Sequence, residues 1–571
     1  MSDRSIYQEL RIRFGTRADE WKTAMRTERA RRPAAVAVVL LLTASCGFRS
    51  ADAPAGSAVA TQQLVTTTAA GTEAVDSITW ALYRDPTSID PITTGDYPEL
   101  TVTSLLCESL FRQQPDGSLG PGLATKIDYP DPLKAVITLR QGVTFSDGTP
   151  MTAADVVFSI GRNRDPKAGG YWAPVFARVK SVVATDDHTV QLTLTEPDYW
   201  LQSALSFAAG DIVSKAAVTR AGKTYGTPKG GAVCTGPYKL KKWQPGDALT
   251  VERNDRYWNA DVRPRVREIK FKGIPDESTL ASGLQTGEVD GAYLELPVSS
   301  LDQLKKSEAV RIYRGPSFLV DAFIVADTDR GILKDPRVRQ ALSLAFDRDS
   351  YITSLYRGTA QPSRALGSPG TWGAQKATFE AAWQRLPEPT VDIAKAKSLI
   401  EAAGVSGQTI TIGMSSEINK LVTEANAFKS AAEKIGLKVK LTSFSANAYG
   451  SLFLDQKARA QVDGFFTTNF PNWADPARLY ATLAVPGAEQ DYGAYRNPEV
   501  AGLLQKARGS ADPATRADLT VQAQDILVKE LPWIPIVAPD TVLVLNKKLS
   551  GATVSSQHFS APWATGLGGV K

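Results

Sequence analysis

Apolar and polar positions alternate strictly in parts of the first half of the chain. In "VVATDDHTVQLTLTEP", Val190, Leu192 and Leu194 alternate with Gln191, Thr193 and Thr195 behind an Asp186-Asp187 turn, which predicts a β-hairpin. Ile137 and Leu139 share one strand face, Val143 and Phe145 predict a second strand, and Asp147-Gly148 supplies a turn. Thr152 with Asp155 three residues on reads as a helix N-cap ahead of Val156, Val157 and Ile160. Earlier, "SITWALY" predicts an apolar strand, and "LTVTSLLCESLF" has helical spacing through Leu105 and Ser109. This half reads as α+β and antiparallel.

The period then changes. Leu421, Ala425, Phe428, Ala432 and Ile435 form a helical stripe that Gly436 ends. It lies between the strand patterns "QTITIGM" and "LKVKLTSF", so a parallel pair with a right-handed crossover is expected. Asp335-Pro336 and Asp392 cap two further helices. The fold class is therefore mixed α/β, with one mixed lobe, one α/β lobe and a ligand crevice between them. At 571 residues the chain is too long for one hydrophobic core.

The first residues follow neither pattern. Four arginines precede an apolar run from Ala34 to Leu42 and the small-residue ending Ala44-Ser45-Cys46, the layout of a secretory signal. About ten apolar residues cannot span a ~30 Å hydrocarbon core. The signal is placed at residues 1–46, with Met25 as a candidate true start. The ending resembles a lipoprotein signal, with Cys46 as the lipid-bearing residue and Thr43 where that pattern carries leucine. Residues 47–75 are small and polar, and predict a flexible tether reaching roughly 30 Å. The body would then stand outside the cytoplasm, anchored to the outer face of the membrane.

Charge and residue counts remove several function classes. A formal net charge of +5, spread along the chain, does not argue for nucleic acid. Only two histidines occur, His188 and His558, so a His-rich metal site is excluded; both read as surface side chains. Neither a phosphate loop nor a G-x-S-x-G elbow is present, so no cofactor and no catalytic residue is expected.

Six fragments carry a family likeness in this order: "PDGSLGPGLAT", "ITLRQGVTFSDGTPMTAADVVFSI", "CTGPYKLKKWQPG", "VERNDRYWN", "DPRVRQALSLAFDRD" and "NWADP". Together they resemble the family 5 extracellular solute-binding proteins, the oligopeptide, dipeptide and nickel receptors of ABC importers. The resemblance implies a two-lobed hinged body from about Ser77 to the C-terminus. Lobe I would comprise residues 76–107, 206–318 and 536–571, an insert subdomain 108–205, and lobe II 319–535. It further implies a monomer that hands a peptide or peptide-like solute to a membrane permease.

In peptide-binding members of that family a Trp-x-x-Asp-x-x-Asp-Pro loop holds the ligand's ammonium with its first aspartate. Anchored on Asp475-Pro476, this chain has Asn469 at the tryptophan and Asn472 at that aspartate. Asn469, Phe470, Asn472 and Trp473 are the expected ligand-binding residues. A buried ammonium without a counter-ion costs several kcal/mol, and neutral hydrogen bonds return only about 0.5–1.5 kcal/mol each. Either an acid comes from elsewhere or the ligand is not a free-amine peptide; the amides favour the second. A solvent-facing Asn472 is the competing possibility.

With Cys46 in the signal, Cys107 and Cys234 remain as an even pair, either bridged or two separate core side chains. Two rival readings stay open: an envelope hydrolase of peptides or glycans, and a signalling or assembly lipoprotein that keeps the fold without transport.

Overall fold

The computed structural model describes residues 63–294 and 299–571. The predicted signal, Met25 and Cys46 lie outside the described residues. Three sheets organise the rest.

The first is seven-stranded, in the order Val310–Gly315, Thr541–Asn546, Gly291–Tyr293, Val75–Leu82, Val266–Gly273, Ala248–Arg253, Tyr238–Gln244. Its central strand Val75–Leu82 is the predicted "SITWAL" run, paired in parallel with both neighbours. Trp80, Tyr293 and Trp563 pack their rings together on it, with Trp80 and Trp563 centroids 4.2 Å apart. The helix Tyr97–Leu106 is capped by Asp96 and ends three residues before Ser109. Directly after it, Cys107 is disulfide-bonded to Cys234, with Cα atoms 4.8 Å apart.

A four-stranded antiparallel sheet follows from Ala124–Asp131, Lys134–Leu139, Thr189–Leu194 and Val179–Asp186. The hairpin lies as its alternation predicts, with Val190, Leu192 and Leu194 buried. Thr152 and Asp155 form the capping box of the helix Ala153–Arg164. One expectation fails: Val143 and Phe145 are not in a strand. They sit in a turn closed by a single Thr144–Pro150 bridge, and both side chains are buried. Burial without a ladder partner gives apolar alternation without a strand.

The third sheet has six strands, in the order Ala360–Pro362, Trp533–Pro539, Val320–Val325, Gly464–Asn469, Thr409–Ser415, Lys438–Phe444. Thr409–Ser415 and Lys438–Phe444 are parallel and joined by the helix Asn419–Lys434, whose Phe428 stacks on Phe323 at 4.4 Å. Asp335 and Asp392 cap their helices as expected.

The chain passes between the first and third sheets twice, after Gly315 and at Asp540. Strands on either side of the two crossings, Val75–Leu82 and Thr541–Asn546 among them, thus belong to the first sheet, and the α/β lobe hangs on two linkers. These sheets and linkers make the two-lobed body with a smaller antiparallel unit.

Two corrections concern the ends. The tether predicted over 47–75 does not extend that far, since residues 65–75 are bonded into the body. Val65 N donates to Arg314 O, Thr68 N to Ala552 O and Gly71 N to Gly566 O. Main-chain bonds secure this stretch, so small polar side chains do not free it. His558, expected at the surface, is 2% exposed and stacks on Tyr293 at 3.7 Å. The polar run around it is held inward by bonds such as that from Ser556 Oγ to Ser317 Oγ, while the Ser555 carbonyl meets His558 Nδ1 at 2.9 Å. Among the described residues no helix is long and apolar enough to cross a membrane.

Candidate functional site

The loop 470–474 is fixed at both ends. Before it, the strand Gly464–Asn469 pairs with Val320–Val325, placing Asn469 opposite Val320 and Thr468 opposite Asp321. After it, Asp475 caps the helix Pro476–Ala484, accepting from Ala477 N at 2.9 Å. Burial raises the Asp475 carboxyl above its usual range. Between these ends Asn472 takes φ 74°, a left-handed conformation that asparagine adopts more readily than bulkier residues.

The four expected residues have different surroundings. Asn469 is 3% exposed and its Oδ1 accepts from Gln490 Nε2 at 2.9 Å. Asn472 is 7% exposed, so it does not face solvent. Phe470 reaches rings outside its own lobe: Tyr97 at 5.6 Å, Phe559 at 5.4 Å and Phe207 at 5.9 Å. Trp473 is buried under the Arg478 guanidinium, 5.3 Å from its centroid. Three polar atoms here have no hydrogen-bond partner among the described residues: Asn469 Nδ2, Asn472 Oδ1 and Trp473 Nε1. A buried polar group left unbonded costs free energy, and on this loop the described residues leave two neutral donors and one acceptor unbonded.

The surroundings come from three bodies. Tyr171, from the antiparallel unit, lies in the field of Glu489 and Arg478 on the α/β lobe and of Asp96 on the first lobe. Asp96 accepts from the Tyr83 hydroxyl at 2.5 Å and pairs with Arg84 at 2.6 Å. Behind the loop, Ala474, Asp475 and Pro476 line a cavity of about 300 Å³ with Tyr199, Trp372 and Arg516.

A buried ionic cluster went unread in the sequence. Asp321 is fully buried and accepts from Thr468 Oγ1 at 2.6 Å, from Lys420 Nζ at 3.1 Å and from the Tyr356 hydroxyl. Lys420 also reaches Glu424 at 3.1 Å. Burial pushes the Glu424 carboxyl up to about 7, against the pull of Lys420. Burial alone would lower the Lys420 ammonium, but the two carboxylates more than offset it. Tyr356 feels the Tyr97 hydroxyl of the first lobe, so the cluster borders the junction. Two signals were available: Asp321 inside the apolar run "VDAFIVA", and Lys420 with Glu424 four residues apart beside the helical stripe. Among the described residues no group of His, Cys, Asp or Glu is arranged to hold a metal ion.

Comparisons with known proteins place this geometry. Residues 118–491 match the model of the bacterial extracellular solute-binding proteins, family 5. The glutathione-binding protein GsiB of Pectobacterium atrosepticum is 30% identical over 482 residues, covering 81% of this chain and 89% of that protein. The ABC transporter substrate-binding protein CtaP of Listeria monocytogenes superposes with a TM-score of 0.75 at 24% identity, covering 87% of this chain and 100% of that one. The periplasmic binding protein DppA of Helicobacter pylori, in complex with the peptide STSA, gives 0.72 at 24% identity over 87% and 99%. The chain belongs to the family 5 bacterial extracellular solute-binding proteins.

Proposed function

We propose that the protein is a lipid-anchored receptor that captures a peptide or peptide-like solute between its lobes and delivers it to an ABC permease. The observation that carries the ligand class is the set of unbonded neutral groups on the loop, the Asn469 Nδ2 donor and the Asn472 Oδ1 acceptor. Together they match the C=O and N–H of an amide bond, and they offer no counter-charge to an ammonium. A relative named for glutathione and a structural neighbour holding a peptide support the same class.

Asn469, Phe470, Asn472 and Trp473 form the ligand contact in this reading. Lobe I (76–107, 206–318, 536–571) and lobe II (319–535) close on the solute, with 108–205 as the insert. The solute leaves as it arrived, because the work of transport comes from a separate ATPase. Cys46 carries the lipid after cleavage of the signal, and the Cys107–Cys234 bridge suits an oxidising envelope. The protein acts as a monomer.

Native mass spectrometry of the purified protein tests the reading. A discrete 1:1 adduct whose fragments contain amide bonds is expected. A retained free-amine peptide that loses its affinity on N-acetylation contradicts the role given to Asn472.

A further inference from the structure

A small cavity of about 30 Å³ lies between the antiparallel unit and the α/β lobe. Its walls include Asp198 and Trp200 from the first, and Trp473, Arg478 and Arg508 from the second. Arg508 stacks over Trp200 at 5.4 Å and Arg478 over Trp473 at 5.3 Å, so two guanidinium–indole stacks enclose it. Three of the lining residues carry a buried N–H without a partner among the described residues: Trp200 Nε1, Trp473 Nε1 and Arg478 Nε. The two tryptophans are 6% and 2% exposed, so solvent does not satisfy them.

The donor count decides what fits. About 10–15 Å³ of such space already holds a water, but a water accepts two hydrogen bonds and must donate two of its own. The side-chain acceptor on the wall is Asp198, and three of its roughly four lone-pair positions are taken. Oδ1 accepts from Arg508 Nε at 2.9 Å and from Trp200 N at 3.3 Å, and Oδ2 from Arg508 Nη2 at 2.5 Å. Arg508 is paired with Asp198 and Arg478 with Glu489, so each lining guanidinium has a carboxylate partner. An occupant that only accepts suits three unbonded donors, and hydrogen bonds to an anion are the stronger kind.

We propose that this cavity is an anion site for a halide- or carboxylate-sized acceptor, bridging the antiparallel unit to the α/β lobe. It shares Trp473 with the proposed solute contact, whose amide donor and acceptor are Asn469 Nδ2 and Asn472 Oδ1. Because both bodies contribute donors, its occupant stabilises the state in which they touch.

Crystals soaked in sodium bromide, with anomalous scattering, test the site. A bromide peak against Trp200, Trp473 and Arg478 is expected. In solution, Tm in bromide should exceed Tm in gluconate at matched ionic strength by roughly 2 °C at tenfold excess over Kd. Trp200→Phe keeps an aromatic ring beside Arg508 and removes the pyrrole N–H; it should lose most of that difference while showing the general salt effect. Displacement of bromide by formate assigns the site to carboxylates, and persistence assigns it to halides; either supports an anion. A dry or water-filled cavity without bromide, with equal Tm responses in wild type and Trp200→Phe, overturns the proposal.

Discussion

Arg314 Nε donates to Asp540 Oδ2 at 2.7 Å where the chain passes between the lobes, and both residues are buried. Arg314 ends the strand that leads into the first linker and Asp540 lies on the second, so the pair ties the two crossings to one another. Burial raises the Asp540 carboxyl and Arg314 opposes that shift. Arg314→Met leaves a buried carboxylate unpaired and should cost about 3–5 kcal/mol. Adding Asp540→Asn should recover a large part of the loss, read by urea denaturation of both variants.

Asn472 gives a test that separates backbone from side chain. At φ 74° glycine is unstrained, so Asn472→Gly should fold with near-native stability. Losing one neutral hydrogen bond of about 1 kcal/mol should weaken solute binding roughly fivefold. Asn472→Asp should instead raise affinity for free-amine peptides over their N-acetylated forms, measured by competition.

Much of the fold was legible because local signals and tertiary packing agree. The capping residues Thr152, Asp335 and Asp392, and the stripe from Leu421 to Ile435, all act as their spacing predicts. Val143 and Phe145 misled because burial alone imitates a strand. His558 misled because its environment is made by Tyr293, far away in the chain. Of the candidate site, the loop residues were proposed through the family likeness, whereas the cluster of Asp321, Lys420 and Glu424 depends on register between separate elements that periodicity does not encode.

That cluster sets a pH response. The Glu424 carboxyl is held at about 7 against an ordinary 4.5. A raised acid makes the folded state the better proton binder, so its stabilising contribution is complete below the unfolded value and is lost as pH rises through about 7. Wild type should therefore lose more Tm than Glu424→Gln between about pH 5 and pH 8. Lys420 keeps Asp321 as its partner in the variant, so the comparison isolates one proton.

The disulfide closes a sequence separation of 127 residues between Cys107 and Cys234. Chain entropy for a loop near that length is worth about 5 kcal/mol, and observed losses run about 2–5 kcal/mol. Reductant should lower Tm and expose two alkylatable thiols in the mature body, counted by mass spectrometry.

The most direct measurement returns the solute identified by native mass spectrometry to emptied protein in a calorimeter, then recovers it and weighs it. Binding at one site per chain with an unchanged recovered mass is predicted. Absence of heat and of any rise in Tm, or a recovered product of altered mass, contradicts a protein that binds without chemistry.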